Sequence, residues 1–138
     1  MPTANDFNEQ VIDEFRANGG KVGGAFEGSS LLLLQTTGAK TGRSRVKPLV
    51  YRRDGDRLVV FGTKGGSPTH PEWFYNVRAN PRVTVEVGSD RFEADARVAL
   101  PDERERLWRL QTQDVPVFAD YQKKTDRTIP VVILERVA

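Results

Sequence analysis

Apolar positions along the chain follow two different rhythms. Phe7, Val11, Ile12 and Phe15 recur at helical spacing, so residues 6–17 read as a short amphipathic helix with Asp6 and Glu9 placed as a capping box. The glycines of "NGGKVGG" end it. From residue 31 onward the apolar runs are of strand length. Residues 31–36 form one, and 45–53 follow with Val46, Leu49, Val50 and Tyr51. "DGD" at 54–56 is a tight-turn signal into "RLVVFG", so 48–62 reads as a hairpin. Pro71 suits the first turn of a helix running to about Ala79, with Trp73, Phe74 and Val77 inward and Pro81 stopping it. "RVTVEV" alternates with period two, turns at "GSD" and returns as "RFEADARVAL", a hairpin with one solvated face.

The next segment, "PDERERLWRLQTQ", opens with proline and acidic residues and predicts a third helix, with Leu107, Leu110 and Trp108 inward. Glu103 with Arg106, and Arg104 with Trp108, read as exposed decoration of that helix. A broken helical segment at 115–124 leads to a last strand in "RTIPVVILERV". About six strands and three helices, in runs rather than strict alternation, predict an α+β barrel or sandwich of mainly antiparallel strands over a doubly wound sheet.

Length allows one core within 138 residues. We expect residues 1–24 to form an N-terminal helix with a glycine-rich linker, and 25–138 the barrel domain. The chain has no cysteine and one histidine, which removes disulfides, thiolate chemistry and Cys-ligated or all-histidine metal sites, so no metal is expected. The longest apolar run, "LLLL", falls far short of the roughly 20 residues of a membrane span. With no signal-peptide pattern at the start, a cytoplasmic protein is expected. The first helix could pack on the barrel, on a partner such as a second copy, or touch a membrane surface. Its four bulky apolar residues favour packing.

A net charge of +2 says little, but its distribution says more. Between residues 40 and 53 lie six basic side chains (Lys40, Arg43, Arg45, Lys47, Arg52, Arg53) and no acidic one. Nucleic-acid binding would want interleaved aromatics, and only Tyr51 qualifies, so no nucleic-acid partner is expected. The loop "TTGAKTGRSRVKP" instead offers glycine-freed amides beside cations, the make-up of a phosphate or carboxylate site. It is not a P-loop: Ala39 precedes Lys40, Leu33 stands at the first glycine position, and Val46, Pro48 and Leu49 predict a strand where that motif needs a helix. The bland alternative is a hairpin turn shaped by Gly38 and Gly42 with solvated charges. A second loop, "GTKGGSPTHPEW", again sets a lysine and a glycine pair after an apolar strand. Both loops at the same ends of neighbouring strands would converge on one anionic ligand.

"TTGAKTGRSRVKPLVYRRDGDRLVVFGTKGGSPTHPEWFYNVRANPRVTVEV" together with "DRTIPVVILE" resembles the deazaflavin-dependent nitroreductase family of actinobacteria, whose members use coenzyme F420. The resemblance extends over nearly the whole globular part. Its specific pieces are the "TxGxKTGxxR" loop, "TKGG", the "HPxWxxN" helix and the terminal "DRTIP". It implies a split β-barrel of the FMN-binding type and hydride transfer from reduced 8-hydroxy-5-deazaflavin to a small-molecule acceptor: a quinone, an enone or a nitro-aromatic. By resemblance, Lys40, Thr41, Gly42 and Arg45 would bind the phosphate and acidic tail of the cofactor, with Lys64 as an added cation. Pro48, Thr63, Trp73 and Asn76 would lie beside the deazaflavin ring, although Trp73 equally suits core packing.

The chain departs from the nitroimidazole reducers in having Val50 and Phe118 where those have Tyr, and Thr63 where they have Ser. Weak nitroimidazole reduction and a bulkier apolar acceptor are therefore expected. Val50, Phe118 and Tyr121 would line the acceptor pocket, with Tyr121 as proton donor. His70, in a loop before proline, reads as helping to set a helix start rather than as an acid. Two alternatives stand beside this reading: an FMN-binding oxidoreductase on the same barrel, and a non-catalytic F420 carrier.

Overall fold

The computed structural model describes residues 4–23 and 30–137, with the side chains of 4–7, Phe7 included, outside the described part. Six strands, β1 (Leu31–Thr37), β2 (Ser44–Asp54), β3 (Arg57–Phe61), β4 (Arg82–Val87), β5 (Asp90–Val98) and β6 (Val131–Arg136), pair antiparallel throughout. They close into a barrel in the order β1-β2-β3-β6-β5-β4. Four helices accompany them: α1 (Ala4–Ala17), α2 (Glu72–Ala79), α3 (Pro101–Asp114) and α4 (Val117–Lys123). The expected α+β barrel is present, and the broken segment after α3 is the fourth helix.

Strand periodicity explains which runs are wholly apolar. Leu32 and Leu34, Leu58 and Val60, Val83 and Val85, Ala94 and Ala96, and Val132 and Leu134 share the barrel interior with Trp73, Phe74 and Val77 of α2. The opposite faces of three strands are covered as well. Leu31 and Leu33 pack against Val11 and Phe15 of α1. Val59, Phe61, Val131 and Ile133 pack against Leu107 of α3 and Phe118 of α4. Strands buried on both sides cannot alternate, hence "LLLL", "LVVF" and "VVIL". Among the described residues no apolar helix face covers the outside of β4 and the first half of β5, and most of their outer residues are charged and pair across the ladder, as Arg82 does with Asp95 at 2.8 Å.

Where β2 changes partner, the barrel splits. Ser44 to Val50 pair with β1, whereas only Tyr51 to Asp54 pair with β3. The second edge of β2 from Val50 back to Ser44 therefore faces no strand among the described pairings. Pro48, which has no N–H to donate, sits on that stretch, where a proline costs no ladder bond.

Three local expectations are corrected. α1 starts at Ala4, so Asp6 lies inside the helix and does not cap it. Pro71 is the residue before α2, its carbonyl accepting from the Phe74 N–H at 3.1 Å. The polar residues of α3 are not decoration, because the start of the helix lies over β5 and the β2–β3 turn. Glu103 accepts from Arg97 at 2.7 and 2.9 Å, from Arg57 at 3.3 Å and from the Leu100 N–H at 3.0 Å. The Arg97 guanidinium, the Leu100 amide and Arg57 together hold its carboxyl down at about 2. Arg106 pairs with Asp54 at 2.9 Å rather than with Glu103. Arg104 donates to the Ile129 carbonyl at 2.9 Å while lying 5.2 Å from the Trp108 ring centroid.

Candidate active site

The loop between β1 and β2 is a short closed hairpin. Gly38 N–H donates to the Arg43 carbonyl at 2.8 Å, and Gly42 N–H to the Gly38 carbonyl at 2.9 Å. Gly42 takes a left-handed φ of +71°, and a side chain at Gly38 would come within 2.7 Å of Thr41 Oγ1. The turn-shaping reading of these glycines thus holds. A helix residue then fixes the loop in place. Asn76 of α2, 8% exposed, accepts the Ala39 N–H at Oδ1 (3.0 Å) and donates from Nδ2 to Thr36 Oγ1 (3.1 Å). The Lys40 and Thr41 amides find no acceptor among the described residues.

Between this loop and α2 lies a cavity of about 510 Å³, lined by Lys40, Thr41, Arg45 and Asn76 together with Glu72 and Tyr75. Lys40 and Arg45 are exposed and join no ion pair among the described residues. Several arginines elsewhere are paired: Arg16 with Glu86, Arg97 with Glu103 and Glu135, Arg52 with Asp114. Unpaired cations beside unpaired amides form a site for an anion.

A second cavity, of about 230 Å³, opens along the unpaired edge of β2. Its walls are Pro48, Val50, Trp73, Phe118 and Tyr121, with Thr63, Lys47 and Lys64 at polar positions. Phe118 meets Phe61 edge-on at 5.5 Å and Tyr121 at the same distance, so the aromatic wall is braced from behind. The Tyr121 hydroxyl makes no hydrogen bond among the described residues. β2 lines the polar cavity at Arg45 and the apolar one from Lys47 to Val50, and α2 gives Glu72, Tyr75 and Asn76 to the first and Trp73 to the second, so the two cavities are neighbours.

The two expected groups of site residues are brought together with two exchanges. Pro48, Thr63 and Trp73 share the apolar cavity with Val50, Phe118 and Tyr121. Lys40, Thr41 and Arg45 share the polar one, whereas Gly42 shapes their loop without lining it. Asn76 lies on the polar side, and Lys64 on the apolar side. Trp73, 5% exposed, belongs to the barrel interior and to the cavity wall at once.

Sequence reasoning missed Arg127. Its guanidinium donates to the carbonyls of Gly62 (3.0 Å), Thr63 (2.8 Å) and Ser67 (2.8 Å). It also lies 3.1 Å from His70 Nδ1. A guanidinium only donates, so His70 accepts at Nδ1 and carries its proton on Nε2. Burial pushes the His70 pKa below its ordinary value, and the charges of Arg127 and Arg78 add to this. The signal lay in "DRTIP", but a basic residue in a short connector does not announce its partners.

The sequence profile of the F420H(2)-dependent quinone reductases matches residues 8–136. The chain belongs to the F420H(2)-dependent quinone reductase family. An F420H(2)-dependent quinone reductase of Mycobacterium tuberculosis (strain H37Rv) is 40% identical over 126 residues, 88% of this chain and 85% of the relative. The solved F420-H2 dependent reductase FDR-A superposes with a TM-score of 0.70 at 42% identity, over 77% of this chain and 94% of its own. A further relative, solved as a domain-swapped dimer, gives 0.73 at 38% identity over 92% and 95%.

Proposed function

We propose that this protein is an F420H2-dependent reductase in which the polar cavity holds the phosphate and acidic tail of the cofactor and the apolar cavity receives its ring. The observation that carries this reading is the adjacency of the two cavities, one with cations and amides lacking partners, the other walled by Pro48, Val50, Trp73 and Phe118. The donor set fits the group: N–H and cationic donors suit a polyanion, and a narrow apolar slot suits a flat ring.

When bound, reduced F420 supplies the hydride. The chain's residues supply position and a proton. Pro48 and Trp73 confine the ring, and the aromatic wall behind Phe118 keeps water out of the slot. An acceptor carbon or oxygen that takes a hydride leaves negative charge on oxygen. Tyr121 Oη, lacking a hydrogen-bond partner among the described residues, is positioned to donate the balancing proton, and water returns it afterwards. Lys47 and Lys64 line the same cavity, and their positive charge favours the anion as it develops. With Val50 and Phe118 in the wall, an apolar quinone or enone suits the slot better than a small polar nitroimidazole.

The apolar stripe of α1 is used on the barrel wall, which supports a packing role for that helix over lipid contact. Among the described residues no helix is long and apolar enough to cross a membrane. A cytoplasmic homodimer is the setting we propose, the dimer on the likeness to the domain-swapped relative. Titrating the protein into oxidised F420 and into FMN decides the cofactor, and tighter FMN binding would overturn the reading. Oxidation of F420H2 that depends on menadione or an enone separates a reductase from a carrier.

A further inference from the structure

We propose that Arg127 is a positioning residue for the reaction, its guanidinium holding residues 62–70 in the shape that presents Thr63 and Lys64 to the apolar cavity. The loop is a poor candidate to hold itself. Lys64, Gly65 and Gly66 take φ values of 43°, 63° and 82°, all left-handed. A lysine in that region persists only when its surroundings impose it. Local hydrogen bonds are sparse: Gly66 N–H to the Thr63 carbonyl at 2.9 Å, Ser67 N–H to the Lys64 carbonyl at 3.1 Å and the exposed Lys64 Nζ to Thr69 Oγ1 at 3.2 Å.

Arg127 provides what the loop lacks. Three carbonyls, separated by up to five residues in sequence, converge on one planar fork, and the His70 ring accepts from the same group. Thr63 is the link to function, because its carbonyl is held by Arg127 Nη2 while the residue itself lines the cavity. Arg127 comes from the connector before β6, and none of its hydrogen bonds goes to a residue lining the Lys40–Arg45 cavity, of which only Tyr75 lies near, through charge and the intervening His70 ring. Its hydrogen bonds therefore act on the ring end and leave Lys40 and Arg45 untouched. A lysine could not replace it, since three donors on one nitrogen cannot span a fork of this width.

His70 is a built-in reporter, being the sole histidine of the chain. The groups around it are Arg127, Arg78 and the rings of Phe74 and Tyr75, at 4.7 and 5.7 Å. Protonation would turn the acceptor at Nδ1 into a donor facing a guanidinium, so the clamp requires neutral imidazole.

The proposal rests on the ring-site reading above, and its test separates the two. Wild type, Arg127→Ala and Arg127→Lys are compared by NMR titration of His70, by thermal melting, by F420 affinity at several salt concentrations, and by steady-state reduction of menadione. In Arg127→Ala the His70 pKa is expected to rise toward its ordinary value. In both variants kcat is expected to fall at least about tenfold, the scale of a misplaced reacting group. The salt dependence of F420 binding should stay as in wild type, and added guanidinium ion should restore part of the kcat of Arg127→Ala. If Arg127→Ala does not fold, Arg127→Lys carries the kinetic test. A kcat within about twofold of wild type in folded variants, or an unmoved His70 titration in Arg127→Ala, overturns the clamp. Failure of the wild type to bind F420 overturns the functional reading instead, while the His70 titration still decides whether the clamp exists.

Discussion

Replacing Asn76 with alanine tests how the fold and the proposed tail site are joined. Asn76 is buried, and both ends of its amide are used: Oδ1 accepts from the Ala39 N–H and Nδ2 donates to the buried Thr36 hydroxyl. Removing the side chain deletes two hydrogen bonds of about 1 kcal/mol each and leaves the Thr36 hydroxyl without its partner, for a total of about 2–3 kcal/mol. At about 3–4 °C per kcal/mol for a chain of this size, melting should fall by about 6–12 °C. The Ala39 amide would also be released, so residues 38–42 must be ordered again on binding. That should weaken F420 about tenfold, equivalent to about 1.4 kcal/mol. Thr36→Val is the matched control, since it removes one hydrogen bond and leaves the bond to Ala39 in place. It should lower melting by a smaller amount, for a loss of about 1–2 kcal/mol, without changing F420 affinity. Equal losses of affinity in both variants, or no loss in Asn76→Ala, would refute the idea that Asn76 pins the loop.

Further expectations concern single side chains. Glu72 is the one carboxylate among the described residues lining the polar cavity, so Glu72→Gln should tighten F420 binding by up to about threefold, as read by fluorescence polarisation. Weaker binding would contradict the placement of the tail. Tyr121→Phe should lower kcat by about a hundredfold with F420 affinity unchanged if the hydroxyl donates the proton, and a change within about twofold would reduce Tyr121 to a wall residue. Glu103, lowered from 4.5 to about 2, binds fewer protons folded than unfolded at mildly acidic pH. Its contribution to stability is present above pH 4.5 and lost as pH falls toward about 2. Thermal melts across that window should steepen in wild type and flatten in Glu103→Gln.

Much of this architecture was legible in the residues because its strands announce themselves in two ways. The alternation of "RVTVEV" and "RFEADARV" marked strands with one wet face, and "LLLL" and "VVIL" marked strands covered on both. The tight turns at Gly55 and Gly88 followed from the same reading. Polar long-range partners were less legible. Glu103, Arg104 and Arg106 looked like an exposed helix surface, since spacing along α3 cannot reveal that Arg97, Asp54 and the Ile129 carbonyl lie beneath it. That Asn76 lines the polar cavity and Lys64 the apolar one was not legible either, because spacing within a motif does not say which cavity each side chain lines. Arg127 stayed hidden because its partners are backbone carbonyls, which every sequence has.

The central claim is that Lys40 and Arg45 grip a polyanionic tail at the rim of the split barrel. It is tested most directly by the affinity of Lys40→Ala/Arg45→Ala for oxidised F420, measured from low to high ionic strength. The account predicts binding weakened about tenfold at low salt, with a shallower salt dependence than wild type, because two exposed cations no longer contribute. Wild-type affinity and an unchanged salt dependence in the double variant would contradict it.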